Sequence, residues 1–94
     1  MERRTQYGPV VGVDDSRHSG TYAWKGIPFA QPPVGELRWK RPVKHACWDD
    51  ALAATDFGPA CVQLDDKGMA QGAEDCLSVN LWVPADASAD KPVP

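Results

Sequence analysis

Residues 75–84 read DCLSVNLWVP and carry the most regular strand pattern of the chain. Successive side chains of a β-strand point to opposite faces of the sheet, so the residues of one face recur at every second position. The pattern places Leu77, Val79, Leu81 and Val83 on one face and Cys76, Ser78, Asn80 and Trp82 on the other. Proline cannot donate a ladder hydrogen bond, so Pro84 should end the strand. The sequence therefore predicts a strand over residues 75–83.

The residues before this strand predict several short strands joined by turns. Weak alternation predicts strands at residues 4–7 and 10–14, and aromatic residues predict a third strand at residues 20–27. The polar residues 14–20 suit a hairpin loop, so the three strands should form an antiparallel meander. Residues 30–35, AQPPVG, should be extended, because a residue that precedes proline is displaced from the α region.

The middle of the chain predicts one helical turn and two connecting segments. Residues 48–55 include three alanines and a leucine, which favour a short helical turn. Residues 57–61 should turn at the Gly-Pro pair, and the polar residues 63–73 should form a surface loop. The tryptophans should pack in a core, because their rings offer large apolar areas. These residues are Trp24, Trp39, Trp48 and Trp82.

The composition indicates an ordinary globular chain. Its 94 residues would suit one small domain, and they carry 43% hydrophobic residues, 24% charged residues and a net charge of -3. A weakly acidic chain lacks the excess of positive charge that is typical of nucleic-acid-binding proteins. No apolar run approaches the length needed to span a bilayer, and residues 1–6 are too polar for a secretory signal. We therefore expect a cytoplasmic protein without a nucleic-acid or membrane partner, or a secreted one if the true N-terminus lies upstream.

Serine-hydrolase chemistry is missing from the sequence. Such an enzyme needs a nucleophile, a base and an oxyanion hole. A nucleophile elbow would read G-x-S-x-G, and none of the four serines has a glycine two residues to either side. We expect the only histidines, His18 and His45, to be surface side chains, because no nucleophile pattern accompanies them. The sequence therefore offers no catalytic residue.

The sequence also gives little evidence of a metal site. His45 and Cys47 are two residues apart, but no pair of cysteines or histidines has the spacing of a zinc site. The acidic stretch at residues 65–68 lacks the alternating ligands and final glutamate of a calcium loop. The three cysteines cannot all enter closed disulfides, because their number is odd. We expect no metal site.

Three stretches carry a family resemblance. Residues 25–38, KGIPFAQPPVGELR, resemble the block G-I-P-Y/F-A-x-P-P-V-G-x-L-R. Residues 57–63, FGPACVQ, resemble F-G-P-x-C-x-Q, and residues 74–84, EDCLSVNLWVP, resemble E-D-C-L-Y-L-N-V/I-W/Y-x-P. These blocks, in this order and at this spacing, are similar to those of type-B carboxylesterases, a group that includes bacterial para-nitrobenzyl esterases and the cholinesterases. The resemblance covers residues 7–84.

The resemblance implies an α/β-hydrolase fold. Residues 1–94 would be its β-rich N-terminal part, with a small antiparallel sheet followed by the first strand of the main sheet. In the family, a strand that ends in the His-Gly-Gly oxyanion loop comes next, so nucleophile, acid and base would lie downstream. The whole protein would hydrolyse small carboxylic esters through an acyl-enzyme, with water as second acceptor and no cofactor. Residues 1–94 would support that fold and be inactive alone.

The resemblance also implies two contacts and one departure. Arg38 and Glu74 should form an ion pair, and partial burial would make it matter more than a surface pair. Cys61 and Cys76 correspond to cysteines that form a disulfide in secreted members, so they should lie close enough to bridge, while Cys47 stays apart. Ser78 stands where the family usually has an aromatic residue or threonine, and it should lose one packing contact.

Two other functions fit the same residues. The chain could belong to a non-catalytic, cholinesterase-like binding or adhesion protein, and nothing in residues 1–94 separates that reading from an esterase. It could also be a truncated gene product without a function of its own. The short loop between the second and third cysteines, with 14 residues between them, resembles that of bacterial enzymes and favours the esterase.

Overall fold

The structure is a computed structural model that describes residues 1–93. Within those residues the chain forms short strands and one turn of 3-10 helix at Gly35–Leu37. The strands are β1 (Glu2–Arg4), β2 (Pro9–Val11), β3 (Val13–Asp15), β4 (Thr21–Pro28), β5 (Leu52–Ala53), β6 (Gln63–Leu64), β7 (Ala70–Gln71) and β8 (Ser78–Pro84). They are arranged in a β1-β2-β5 sheet, a β3-β4-β8 sheet and a β6-β7 hairpin.

The first sheet joins β1, β2 and β5. β1 and β2 are antiparallel, with Arg3 opposite Val10, and the Thr5 N–H closes their turn by donating to the Gly8 carbonyl at 2.9 Å. β5 lies parallel to β2, with Leu52 opposite Val10. The small sheet is therefore mixed, whereas the family resemblance implied a purely antiparallel one.

The helical turn predicted over residues 48–55 is wrong, because Leu52–Ala53 form β5. Helix propensity is a weak preference that tertiary contacts override. The Ala54 N–H donates to the Val11 carbonyl at 2.7 Å, and the Lys25 N–H donates to the Ala54 carbonyl at 2.8 Å. The extended backbone thus bonds to both sheets at once, which a helical turn would not allow.

The second sheet contains the longest strands. The β3–β4 hairpin is closed by the Asp15 carbonyl, which accepts the Ser19 N–H at 2.9 Å. β8 lies antiparallel to β4, and the pairing is interrupted by a bulge between Trp24 and Ile27. Gly26 fills this bulge with a φ of +69°, and its N–H donates to Asn80 Oδ1 at 2.8 Å. The strand predicted over residues 75–83 is present as β8, although it begins only at Ser78.

The antiparallel pairings of the predicted meander are present, as β1 with β2 and β3 with β4, but its middle strand is broken. β2 and β3 belong to different sheets, and only Gly12 separates them. A Cβ at position 12 would lie 2.3 Å from the Ala23 carbonyl oxygen and 2.7 Å from Trp24 Cδ1. Glycine therefore lets the chain pass from one sheet to the other while the two sheets remain in contact.

The core lies between the two sheets. It consists of Val10, Trp24, Ile27 and Ala54, against which Tyr22, Trp48, Leu52 and Val83 pack. The Trp48 indole N–H donates to the Pro9 carbonyl at 2.8 Å, so its polar atom is satisfied at the edge of the core.

The segment predicted as a polar surface loop is exposed but contains the β6–β7 hairpin. Asp65 organises its turn, because its Oδ1 accepts the backbone N–H of Lys67 at 2.9 Å and that of Met69 at 2.8 Å. A side-chain acceptor of this kind replaces backbone partners that a tight turn leaves unpaired.

Candidate functional site

The structure brings Arg38 and Glu74 together. Arg38 follows the 3-10 turn, whose geometry is closed by its own N–H donating to the Gly35 carbonyl at 3.2 Å. Its Nε lies 2.7 Å from Glu74 Oε1, and the two side chains are 55% and 46% exposed. The pair joins the proline-rich segment to the residues before β8, but it is half in solvent rather than buried.

The structure also brings Cys61 and Cys76 together, since both line the same groove. Cys61 forms a parallel bridge with Ala73, so the chain returns to Cys61 shortly before it reaches Cys76. The hydrogen bond with Cys61, and then partial burial, raise the pKa of the Cys76 thiol. Both cysteines are free thiols, and Cys47 is exposed.

These two pairs line one open groove of about 420 Å³. Trp39 forms part of its rim and is 97% exposed. The prediction that every tryptophan packs in the core is therefore wrong for Trp39, and also for Trp82, which is 53% exposed. The φ of Trp39, +61°, lies in the left-handed region, which bulky residues rarely adopt. The groove thus combines a cation, a carboxylate, two thiols and an indole.

A hydrolytic centre is not formed by residues 1–93, in which no serine hydroxyl is hydrogen-bonded to a histidine ring. Ser19 Oγ bonds instead to the Asp15 carbonyl and to Thr21. His18 Nδ1 lies 3.4 Å from Asp15 Oδ1 on an exposed turn, and His45 Nδ1 lies 2.8 Å from the Ala46 carbonyl oxygen. The arrangement therefore lacks the nucleophile–base contact that acyl transfer needs.

Metal-binding clusters and membrane-spanning helices are both absent from the described part of the chain. Residues 1–93 contain no cluster of three or more histidine, cysteine or acidic side chains placed to hold a metal ion. The same residues contain no helix with the length and apolar character needed to cross a membrane.

Comparison with known families places the chain in one of them. The sequence model of the carboxylesterase family matches residues 1–94, which is the whole chain. The chain belongs to the type-B carboxylesterase family. It is 41% identical to the para-nitrobenzyl esterase of Bacillus subtilis (strain 168), over 95% of this chain and 19% of that protein. It is also 39% identical to an acetylcholinesterase of Bungarus fasciatus, over 95% of this chain and 17% of that protein.

Solved esterase structures resemble the chain as well. One titled thermophilic PNB esterase superimposes with a TM-score of 0.81 at 41% identity and covers 94% of this chain and 19% of that chain. The structural neighbours are esterases of the α/β-hydrolase type, and the described strands match their β-rich N-terminal part. The chain spans about a fifth of the length of the relatives it matches.

Sequence reasoning missed two features near this site. The hydrogen bond from the Gly26 N–H to Asn80 ties the first family block to the third, and the bulge that creates it has no signature beyond an isolated glycine in a strand. The exposure of Trp39 was also missed, because residue type predicts burial for tryptophan in general and carries no information about a particular ring.

Proposed function

We propose that this chain is the N-terminal part of a serine carboxylesterase, and that it supports the fold rather than carrying out the chemistry. The observation that carries the proposal is the family match over the entire chain, together with relatives whose names describe ester hydrolysis. The whole protein would have the α/β-hydrolase fold. It would hydrolyse small carboxylic esters through an acyl-enzyme on a serine beyond residues 1–94.

The unpaired side of β8 supports this role. β8 pairs with β4 along one edge, and within residues 1–93 no strand pairs with its other edge. Val79 and Leu81 are 39% and 47% exposed, although they share the face that leads into the core. An uncharged edge strand with exposed apolar side chains favours pairing with a further strand. In the proposed enzyme this edge would receive the rest of the main sheet.

The ion pair and the thiol pair would serve the same end. The ion pair links Arg38, which follows the proline-rich segment, to Glu74, and the thiol pair brings together the two ends of residues 61–76. Together they would fix the direction in which β8 leaves this region. A strand held in one position fixes the register of the strands that pair with it. A slip of one residue would turn the core-facing side chains of the strand toward the opposite face of the sheet.

The test compares this chain with the same chain extended in frame along its coding region. Purified residues 1–94 should not hydrolyse a para-nitrophenyl ester. The extended protein should hydrolyse it, and one serine in a G-x-S-x-G context should be labelled by an organophosphate. An extended frame without that serine would contradict the proposal, as would inhibitor-sensitive turnover by residues 1–94 alone.

A second candidate is a non-catalytic binding or adhesion member of the family. One relative, neurotactin of Drosophila melanogaster, has a name that describes no ester hydrolysis, and it is 39% identical over 85% of this chain. The extension experiment separates the two, since a binding member would keep the fold and lack the reactive serine. A truncated gene product would give no extended protein at all.

A further inference from the structure

The thiol pair of the groove has a chemistry that the proposed support of the fold does not use. Cys61 and Cys76 both line the groove, and both are free thiols, the first exposed and the second half-buried. Contact with Cys61, and then partial burial, raise the pKa of the Cys76 thiol, and the first of these effects needs neighbouring thiol groups. The pair is therefore open to a small ligand that enters from solvent.

Backbone contacts hold the two cysteines in this arrangement. Cys61 forms a parallel bridge with Ala73, and the Ala73 N–H donates to the Ala60 carbonyl at 2.9 Å. Gly72, with a φ of +94°, permits the close approach, because a Cβ at this position would lie 2.3 Å from the Cys61 carbonyl oxygen. The loop of 14 residues between the cysteines is thus closed by its own backbone. A ligand that joins the two sulfur atoms has little further chain entropy to remove.

The surroundings of the pair offer no third metal ligand. Within residues 1–93 no cluster of three potential ligands is formed, and the carboxylate of Glu74, which also lines the groove, is engaged with Arg38 at 2.7 Å. The nearby lining is apolar and includes Pro33, Val62 and Ala73. Structural zinc takes four ligands, so two thiols do not make a zinc site. Thiolates select soft ions such as Cu(I), and this ion accepts two sulfur ligands in a line.

We propose that Cys61 and Cys76 form a two-coordinate site for a soft monovalent metal ion of the Cu(I) class. One ion and two thiols give one dithiolate complex with a single negative charge, and two protons are released to solvent. No electron is transferred, so the step needs no oxidant or reductant. The ion would join the ends of residues 61–76 in a reducing compartment, where a disulfide is not maintained. The site needs no residue beyond this chain, so the inference is independent of the proposed esterase function.

The test transfers Cu(I), under nitrogen, from its coloured bicinchoninate complex to the full 94-residue chain carrying Cys47→Ser, which removes the third and exposed thiol. One ion should bind per chain, with an affinity that does not depend on the chain concentration. Between pH 6 and pH 7 the apparent affinity should rise about 100-fold, because two thiols that are mostly protonated in this range lose their protons. Zn(II) should not bind at the same micromolar concentration. Two ions per chain, an affinity that depends on chain concentration, or equal affinity for Zn(II) overturns the proposal.

Cysteine variants locate the site. Cys61→Ser and Cys76→Ser, each on the Cys47→Ser background, keep one sulfur ligand and should bind Cu(I) roughly 100-fold more weakly, because no second thiol is held beside the first. Their apparent affinity should rise only about tenfold per pH unit, since one proton leaves. The matched control is Cys76→Ser with Cys47 retained, which has two thiols but only one in the groove, and it should bind no more tightly than the single-cysteine chains. Undiminished binding by this control, or a tenfold pH dependence in the chain with both groove thiols, refutes the site.

Discussion

Two tryptophans of the β3-β4-β8 sheet lie on opposite faces and have opposite environments. Trp24 is 4% exposed and packs against the other sheet, whereas Trp82 is 53% exposed, with its ring centroid 6.1 Å from that of Phe57. Their strands are neighbours, and the two residues occupy adjacent positions of the ladder. The difference shows that burial here depends on what lies across from each face, and not on residue type or strand pattern.

The largest expected effect is the difference between Trp24→Ala and Trp82→Ala. Trp24→Ala removes the largest side chain of the core and should cost about 3–5 kcal/mol of unfolding free energy. Trp82→Ala should cost about 1 kcal/mol, because roughly half of that ring is already in solvent. Urea unfolding followed by far-ultraviolet circular dichroism measures both. Equal losses would show that the two faces are equally covered and would remove the basis of the comparison.

The sequence predicted the parts of this fold that local patterns determine. β8 follows from its alternation, and the exposed turn at residues 14–20 follows from its polar residues. Neither depends on distant partners. The motif blocks of the family also led to the contacts of Arg38 with Glu74 and of Cys61 with Cys76, which no single segment would reveal.

The remaining features depend on contacts between distant segments. β5 is a strand because the edge of β2 and the backbone of Lys25 both bond to Ala54, and alanine by itself favours helix. The break between the two sheets depends on the approach of Ala23 to Gly12. Periodicity in one window carries no information of this kind.

The next largest effect concerns the thiol pair on the exposed side of the molecule. Oxidation of Cys61 and Cys76 to a disulfide would close a loop of about fifteen residues and should raise the free energy of unfolding by about 3 kcal/mol. The measurement compares urea midpoints of reduced and oxidised chains on a Cys47→Ser background. Cys61→Ser on the same background is the control, because oxidant should not change its midpoint. A higher urea midpoint of the control after oxidation would mean that the stabilisation does not come from this cysteine pair.

The reduced pair should also make stability depend on alkaline pH. The contact with Cys61, and then partial burial, raise the pKa of Cys76 above its ordinary value of 9.0, so the folded chain holds this proton more tightly than the unfolded chain. The contribution is present below pH 9.0 and is lost as the pH rises through the raised value. The oxidised chain has no thiol to titrate at this position, so its stability should not fall in this alkaline range. Identical alkaline profiles would contradict the assignment to Cys76.

A smaller effect is expected where the two sheets meet. Gly12→Ala would place a methyl group against the Ala23 carbonyl and the Trp24 ring and should cost about 1–3 kcal/mol, since backbone must move to accept it. Gly20→Ala is the matched control. A Cβ at position 20 has no neighbour within 4 Å, so only the cost of its φ of +73° remains, about 1 kcal/mol. A Gly12→Ala chain as stable as Gly20→Ala would show that the sheets are not in close contact.

The smallest effect is expected for Arg38 and Glu74, even though their 2.7 Å separation is short. The side chains are 55% and 46% exposed, so water screens the pair and partial burial does not amplify it as the resemblance suggested. A double-mutant cycle with Arg38→Gln and Glu74→Gln should give a coupling energy of about 0.5 kcal/mol that decreases with added salt. The more exposed Lys91–Asp86 pair, at 2.6 Å, is the reference and should couple no more strongly. A coupling energy above about 2 kcal/mol for Arg38–Glu74 would mean that both charged groups are shielded from water. The groove would then be as well protected from solvent as the core between the two sheets.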